Sequence, residues 1–297
     1  MEIEKIAKGI QNKLELRGGL KQVWFVACGG SLTALYLAKY FLERESKNLR
    51  IGYCNSSEFV HATPNVISSN TVVVLACQRG TTPETIEAVK VCKKKGGISI
   101  VLTNIADSPI TQVADYSCTY LIGEKARAED QKPSTGLKVA LELLNNSEGY
   151  QYYNEMRQAF ATIDELVMNV HTTFLPQAQK MAKELNNAKL IYVLGSGPSW
   201  GSAHQESICV FMEMQWINAS SIHSGDYFHG PFEMTEENQP FILLINDGET
   251  RELDLRAKAF LEKHNKKHFI LDAKELGLEK VNSTVREFFN PILLTNT

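Results

Sequence analysis

The chain has 297 residues, 43% of them hydrophobic and 22% charged, with a net charge of −3, enough for two domains with separate cores. It lacks the basic excess that nucleic-acid binding requires. No apolar run approaches the roughly 18 residues of a membrane span, so neither nucleic acid nor membrane is an expected partner.

The first residues, Met1-Glu2-Ile3-Glu4-Lys5, are charged and lack the apolar core of a signal peptide. Residues 2–17 read as a helix stopped by Gly18-Gly19. Val23-Trp24-Phe25-Val26-Ala27 is a continuous apolar run of the kind buried in a parallel sheet. It empties into Cys28-Gly29-Gly30-Ser31, and a helix follows to about Glu45. Ile51–Cys54 is a short strand leading to Ser56-Ser57-Glu58-Phe59. Thr71–Ala76 is the clearest strand, and Cys77-Gln78-Arg79-Gly80-Thr81-Thr82-Pro83 connects it to a helix ending near Lys95. Gly97–Thr103 and Tyr116–Leu121 complete the series. Gly123–Pro133 is charged and loop-like, with Ser134-Thr135 as a cap for a helix reaching Leu144.

Residues 151–187 read as helices broken at Pro176, and a second strand-helix series starts at Leu190. Strands alternating with helices predict an α/β fold with mostly parallel sheets. The expected organisation is a domain over 1–150, a helical linker over 151–188 and a second domain over 189–297. Gly29 and Gly197, Glu58 and Asp226, Gly80 and Gly248, and Thr82 and Thr250 are each 168 positions apart and in phase with the strands. That offset predicts an internal duplication of one three-layer αβα unit. Six cysteines without a CxxC pair read as buried free thiols in a reducing cytoplasm.

In a parallel sheet, ligands bind beyond the carboxyl ends of the strands. Gly29-Gly30-Ser31 leads a helix N-terminus that would admit an oxyanion to main-chain N–H groups. Gln78-Arg79-Gly80-Thr81-Thr82 does the same and adds hydroxyls and a guanidinium, which suits a phosphate monoester. Ordinary βα turns favour the same residues, so both readings stand. Neither Cys28–Thr33 nor Gly195-Ser196-Gly197 completes a dinucleotide fingerprint. The histidines are scattered without ligand spacing, so no metal is expected. In the second half, a helix predicted over Ser199–Ile217 places Glu206 and Glu213 on one face. Phe211, Met212, Met214 and Trp216 surround Glu213 in sequence, which would raise its pKa toward neutrality and make it a proton carrier. The same pattern suits a carboxylate facing solvent on an amphipathic helix. Arg127, Lys125 and Lys132 lie in a basic stretch that could meet an acidic substrate, or form a solvated surface loop.

The chain resembles the sugar isomerase (SIS) domain family, in particular the fructose-amino-acid-6-phosphate deglycases and, among them, those acting on the aspartate compound. The residues that carry this are Val26–Ser31, Thr82–Ile86, Ser207–Ile217 and Ile222–Glu233, the last containing His229-Gly230-Pro231. The resemblance implies that Glu213 and His229, 16 positions apart, are the catalytic pair. It implies that Gly29, Gly30, Ser31, Glu58, Gln78, Arg79, Gly80, Thr81 and Thr82 surround a sugar phosphate. It also implies a homodimer with the active site at the subunit interface, and no metal or organic cofactor. Asp226 stands where the family has glutamate, and Cys77 where many members have serine. Family members continue for some tens of residues past the region of Phe288-Phe289-Asn290, so either the chain is truncated or its site is completed differently.

Overall fold

The computed structural model describes residues 2–123 and 126–297. It divides into two compact units, Met1–Tyr153 and Asn154–Thr297.

The first unit is built on five strands, β1 (Gln22–Ala27), β2 (Arg50–Asn55), β3 (Thr71–Ala76), β4 (Ile98–Thr103) and β5 (Tyr116–Thr119). All pair in parallel, in the order β2-β1-β3-β4-β5. Every residue of β3 and β4 is buried, because a parallel strand is covered on both faces and cannot alternate polar and apolar residues. One face, through Val26, Val73, Leu75 and Val101, packs on Phe59, Ala88, Val89 and Cys92 from α3 (Ser56–His61) and α4 (Pro83–Lys94). The other carries α2 (Gly29–Glu45), α5 (Lys132–Glu148) and α1 (Glu2–Glu15). Each fully buried Val or Leu contributes about 1.5–3 kcal/mol to this three-layer arrangement. Ser134 does not cap α5: the helix begins at Lys132, and the Ser134 hydroxyl donates back to Ala128 O at 2.6 Å. A 3₁₀ turn, Ala128–Asp130, replaces part of the expected loop.

The second unit has four parallel strands, β6 (Leu190–Gly195), β7 (Asn218–His223), β8 (Phe241–Ile245) and β9 (His268–Asp272), in the order β7-β6-β8-β9. Tyr192, Leu194, Phe241, Leu243 and Ile245 pack on Ala257 and Leu261 of α8 (Arg251–His264). The predicted break at Pro176 is absent: α6 runs unbroken from Tyr153 to Leu185. Proline removes one ladder hydrogen bond, but the apolar stripe from Met156 to Phe174 keeps the helix seated.

The largest departure concerns the helix expected over 199–217. A 3₁₀ turn (Gly197–Ser199) and a short α7 (Trp200–Gln205) lead into a π-helix, Glu206–Gln215. Trp216 ends it in the left-handed region at φ 59°, its N–H donating to Phe211 O. At the junction the Ser207 hydroxyl donates to Ala203 O at 3.0 Å, a back-bond that competes with the helical ladder. The wider i→i+5 turn changes the angular step, so residues seven apart no longer share a face. No helix among the described residues is long and apolar enough to cross a membrane.

Candidate active site

In the first unit the predicted turns gather at the carboxyl ends of β1, β2 and β3. Gly29 opens α2 at φ 51°, a conformation that favours glycine, and a Cβ there would meet nothing within 4 Å. Gly80 is more constrained: φ is 68° and a Cβ would fall 2.1 Å from Ser108 Oγ. The β3–α4 turn is anchored from below. Asn104 N–H donates to Gln78 O at 2.9 Å and Ile110 N–H to Gly80 O at 3.0 Å. Cys77, buried at 3% exposure, donates its thiol to Thr82 Oγ1 at 3.2 Å and accepts Thr82 N–H at 3.4 Å. The thiol therefore braces the turn from within. The main-chain N–H groups of Gln78, Arg79 and Thr81 find no acceptor among the described residues.

Lys132, at the first position of α5, brings the two turns together. Its ammonium donates to Ser31 Oγ at 3.1 Å and approaches Gln78 Oε1 at 3.5 Å, lying 5.4 Å from the centre of the Tyr120 ring. Its neighbour Arg127 is engaged locally with Asp130 at 3.0 Å and with Glu129. Lys125 lies outside the described residues. Arg79 and Thr81 are exposed, and the Arg79 guanidinium has no polar partner among the described residues. Thr81 also lines an open pocket of about 520 Å³ with Ser57, His61, Glu84 and Lys90. Glu58 follows β2 in the first turn of α3, where Asn55 caps Ser57 N–H at 2.8 Å. Its carboxylate is exposed and makes no hydrogen bond to either turn.

In the second unit the predicted acid and base are both at the surface. Glu213 is exposed on the π-helix, beside Met212, Met214 and Trp216 with exposures of 44%, 70% and 90%. Of the apolar neighbours expected to enclose it, Phe211 is buried, and Met212, Met214 and Trp216 point into solvent. His229 is exposed in the turn after β7, its N–H donating to Asp226 O at 2.9 Å. No hydrogen bond joins Glu213 to His229. Burial pushes the Glu206 carboxyl up to about 7. Glu206 lines a cavity of about 260 Å³ whose walls include Phe174, Met181, Leu185, Ile242 and Leu244. It has no hydrogen-bond or ion-pair partner among the described residues. Position in the sequence could not reveal this, because the π-helix rotates Glu206 inward and Glu213 outward.

The second unit's own turns are closed by their side chains. Gly197 sits at φ 52° with a hypothetical Cβ 2.2 Å from Thr250 Oγ1. Asn246 Nδ2 donates to Ser196 Oγ at 3.2 Å, Thr250 Oγ1 at 3.0 Å and Asp254 Oδ2 at 2.6 Å, and Asn246 N–H also reaches Asp254 Oδ2 at 3.1 Å. A buried carboxylate thus takes donors on this turn that an external anion would need. Among the described residues no group of three His, Cys, Asp or Glu side chains could hold a metal ion.

Comparison with known proteins agrees with this architecture. The SIS domain family matches residues 20–140. Fructosamine deglycase FrlB of Bacillus subtilis (strain 168) is 34% identical over 98% of this chain and 89% of its own length. Fructoselysine 6-phosphate deglycase of Escherichia coli (strain K12) is 28% identical over 87% of this chain and 75% of its own. A crystal structure from Salmonella typhimurium LT2, described as a candidate phosphosugar isomerase, superposes with a TM-score of 0.96 at 43% identity, over 99% of this chain and 88% of that one. With two parallel αβα sheets, glycine turns at their carboxyl edges and a relative matching nearly end to end, this chain belongs to the SIS-domain family, in the group that contains the fructosamine deglycases.

Proposed function

We propose that the chain is a deglycase that cleaves a 6-phosphofructosyl amino acid, an Amadori product, to glucose 6-phosphate and the free amino acid, with the aspartate compound as its substrate. The observation that carries this is the β3–α4 turn. Three main-chain N–H groups, of Gln78, Arg79 and Thr81, are left without acceptors at a sheet edge that also presents Ser31 and Thr82. A phosphate monoester supplies the acceptors such a turn lacks. The kinship with deglycases that act on fructosamine compounds supports the rest.

In the open-chain substrate C2 is a carbonyl and C1 carries the amino-acid nitrogen. The C1 proton is acidic because it is α to that carbonyl. His229 shuttles a proton between the ring oxygen and the C2 hydroxyl to open the ring. Glu213 then takes the C1 proton, giving an enaminol. Reprotonation at C2 yields the C1 imine of glucose 6-phosphate, and water hydrolyses the C=N bond to the aldehyde and the free amine. The net reaction is hydrolysis of a C–N bond. Each positioned acid or base contributes roughly 10²–10⁴ in rate. This reading includes a homodimer with its site at the subunit interface, working in the cytoplasm, where six free thiols stay reduced.

A second reading, a phosphosugar aldose–ketose isomerase, is favoured by the description of the Salmonella relative. It uses the same carboxylate chemistry and releases no amine. Offering 6-phosphofructosyl-aspartate and 6-phosphofructosyl-lysine side by side, and quantifying glucose 6-phosphate and free amino acid, separates the two. Isomerisation without amino-acid release would replace the deglycase reading.

A further inference from the structure

We infer that Lys132 is the cation that neutralises the substrate phosphate, a role that rests on the sugar-phosphate reading of the first unit's turns. The geometry carries it. The ammonium already touches Ser31 Oγ at 3.1 Å and lies 3.5 Å from Gln78 Oε1. Any anion held jointly by those two side chains must therefore come within reach of Nζ. Ser31 and Gln78 are neutral groups on separate turns, and the free N–H groups beside Gln78 supply only partial charge. A phosphate monoester brings about −1.5 to −2 charges. A full positive charge at this position complements the phosphate in a way the neutral groups of the two turns do not.

The site holds this ammonium in place. Lys132 sits at the start of α5, which packs along α2, the helix that Gly29 and Ser31 begin. The Tyr120 ring lies 5.4 Å from Nζ, within cation–π range, and the ring is buried at 1% exposure. The Tyr120 hydroxyl is buried with no hydrogen-bond partner, so its donor is also unused at the base of the turns. Arg79, the guanidinium within the turn itself, is exposed and has no polar partner among the described residues. Lys132 therefore stands at the phosphate end of the substrate, and Arg79 is the peripheral charge.

The test uses the full chain and calorimetric titration with glucose 6-phosphate, inorganic phosphate and glucose. Lys132→Met should weaken glucose 6-phosphate and inorganic phosphate by about 10- to 100-fold, the range for one charge-assisted hydrogen bond. Lys132→Arg should recover most of that loss. Glucose should bind the parent and both variants alike. With the Amadori substrate, KM should rise far more than kcat falls. If Lys132→Met perturbs the fold, Lys132→Gln and the salt dependence of glucose 6-phosphate binding by the parent replace it, and a parent affinity indifferent to salt counts against the inference. A Lys132→Met protein that binds glucose 6-phosphate like the parent overturns the lysine's role and leaves the deglycase reading standing. A parent that binds neither glucose 6-phosphate nor phosphate overturns both.

Discussion

Glu206 and Glu213 lie on the same π-helix in opposite surroundings: Glu206 faces an apolar cavity of about 260 Å³, while Glu213 is exposed. The contrast arises from the wider helical turn, which separates residues that an α-helix would align. It also sets a pH dependence. Burial raises the Glu206 pKa to about 7, above its value in the unfolded chain. The folded state then binds more protons than the unfolded one between roughly pH 4.5 and 7. This group's favourable share of stability is full below that window and is lost as pH rises through it. Glu206→Gln removes the titration. Thermal melts should show the variant more stable than the parent at pH 8, by on the order of 1–2 kcal/mol, with the difference vanishing near pH 5. A difference that is the same at both pH values would show that Glu206 does not titrate in this way.

The two turn glycines should respond differently to alanine. Gly29 needs only its positive φ, so Gly29→Ala should cost about 1 kcal/mol. Gly80 needs positive φ and also the space that Ser108 Oγ denies to a Cβ at 2.1 Å. Gly80→Ala should cost about 2 kcal/mol or more and displace the N–H groups of the turn. Urea titrations of the two variants test the ranking. Equal costs would contradict it.

Much of this architecture was legible in the sequence because parallel strands leave a strong mark. Thr71–Ala76 is apolar throughout, and both its faces are covered. Gly29, Gly80 and Gly197 marked turns where positive φ is required. The π-helix was not legible, since Glu206–Gln215 carries residues that an α-helix accommodates equally well. Lys132 was hidden for another reason. It sits among charges that read as a solvated loop, and its reach to Ser31 depends on how α5 packs on α2, which no local pattern encodes. The burial of Glu206 was not legible either, because enclosure follows from helix geometry and packing and not from which residues are apolar neighbours in sequence.

Arg79 and Lys132 should separate in their effects. Arg79 is exposed, so Arg79→Ala should raise KM for the phosphorylated substrate by less than about 10-fold, as expected for a solvent-screened charge. Its kcat should stay near the parent value. Steady-state kinetics on the two variants test the order, and a larger KM effect at Arg79 than at Lys132 would reverse it.

The proposed homodimer predicts complementation. If His229 acts on sugar attacked by the partner's Glu213, a mixture of inactive Glu213→Gln and inactive His229→Asn proteins, unfolded and refolded together, regains activity. Hybrid dimers then contain one site with both native groups. A mixture that stays inactive, with hybrids verified by mass spectrometry, would place both groups in the same subunit.

The proposed role of Glu213 as the base is tested by single-turnover assays of Glu213→Gln against the parent with 6-phosphofructosyl-aspartate, following free aspartate and glucose 6-phosphate together. The parent should release equal amounts of the two products, and the variant should be slower by roughly 10²–10⁴ with substrate still bound. A variant that releases both products at the parent's rate would contradict it.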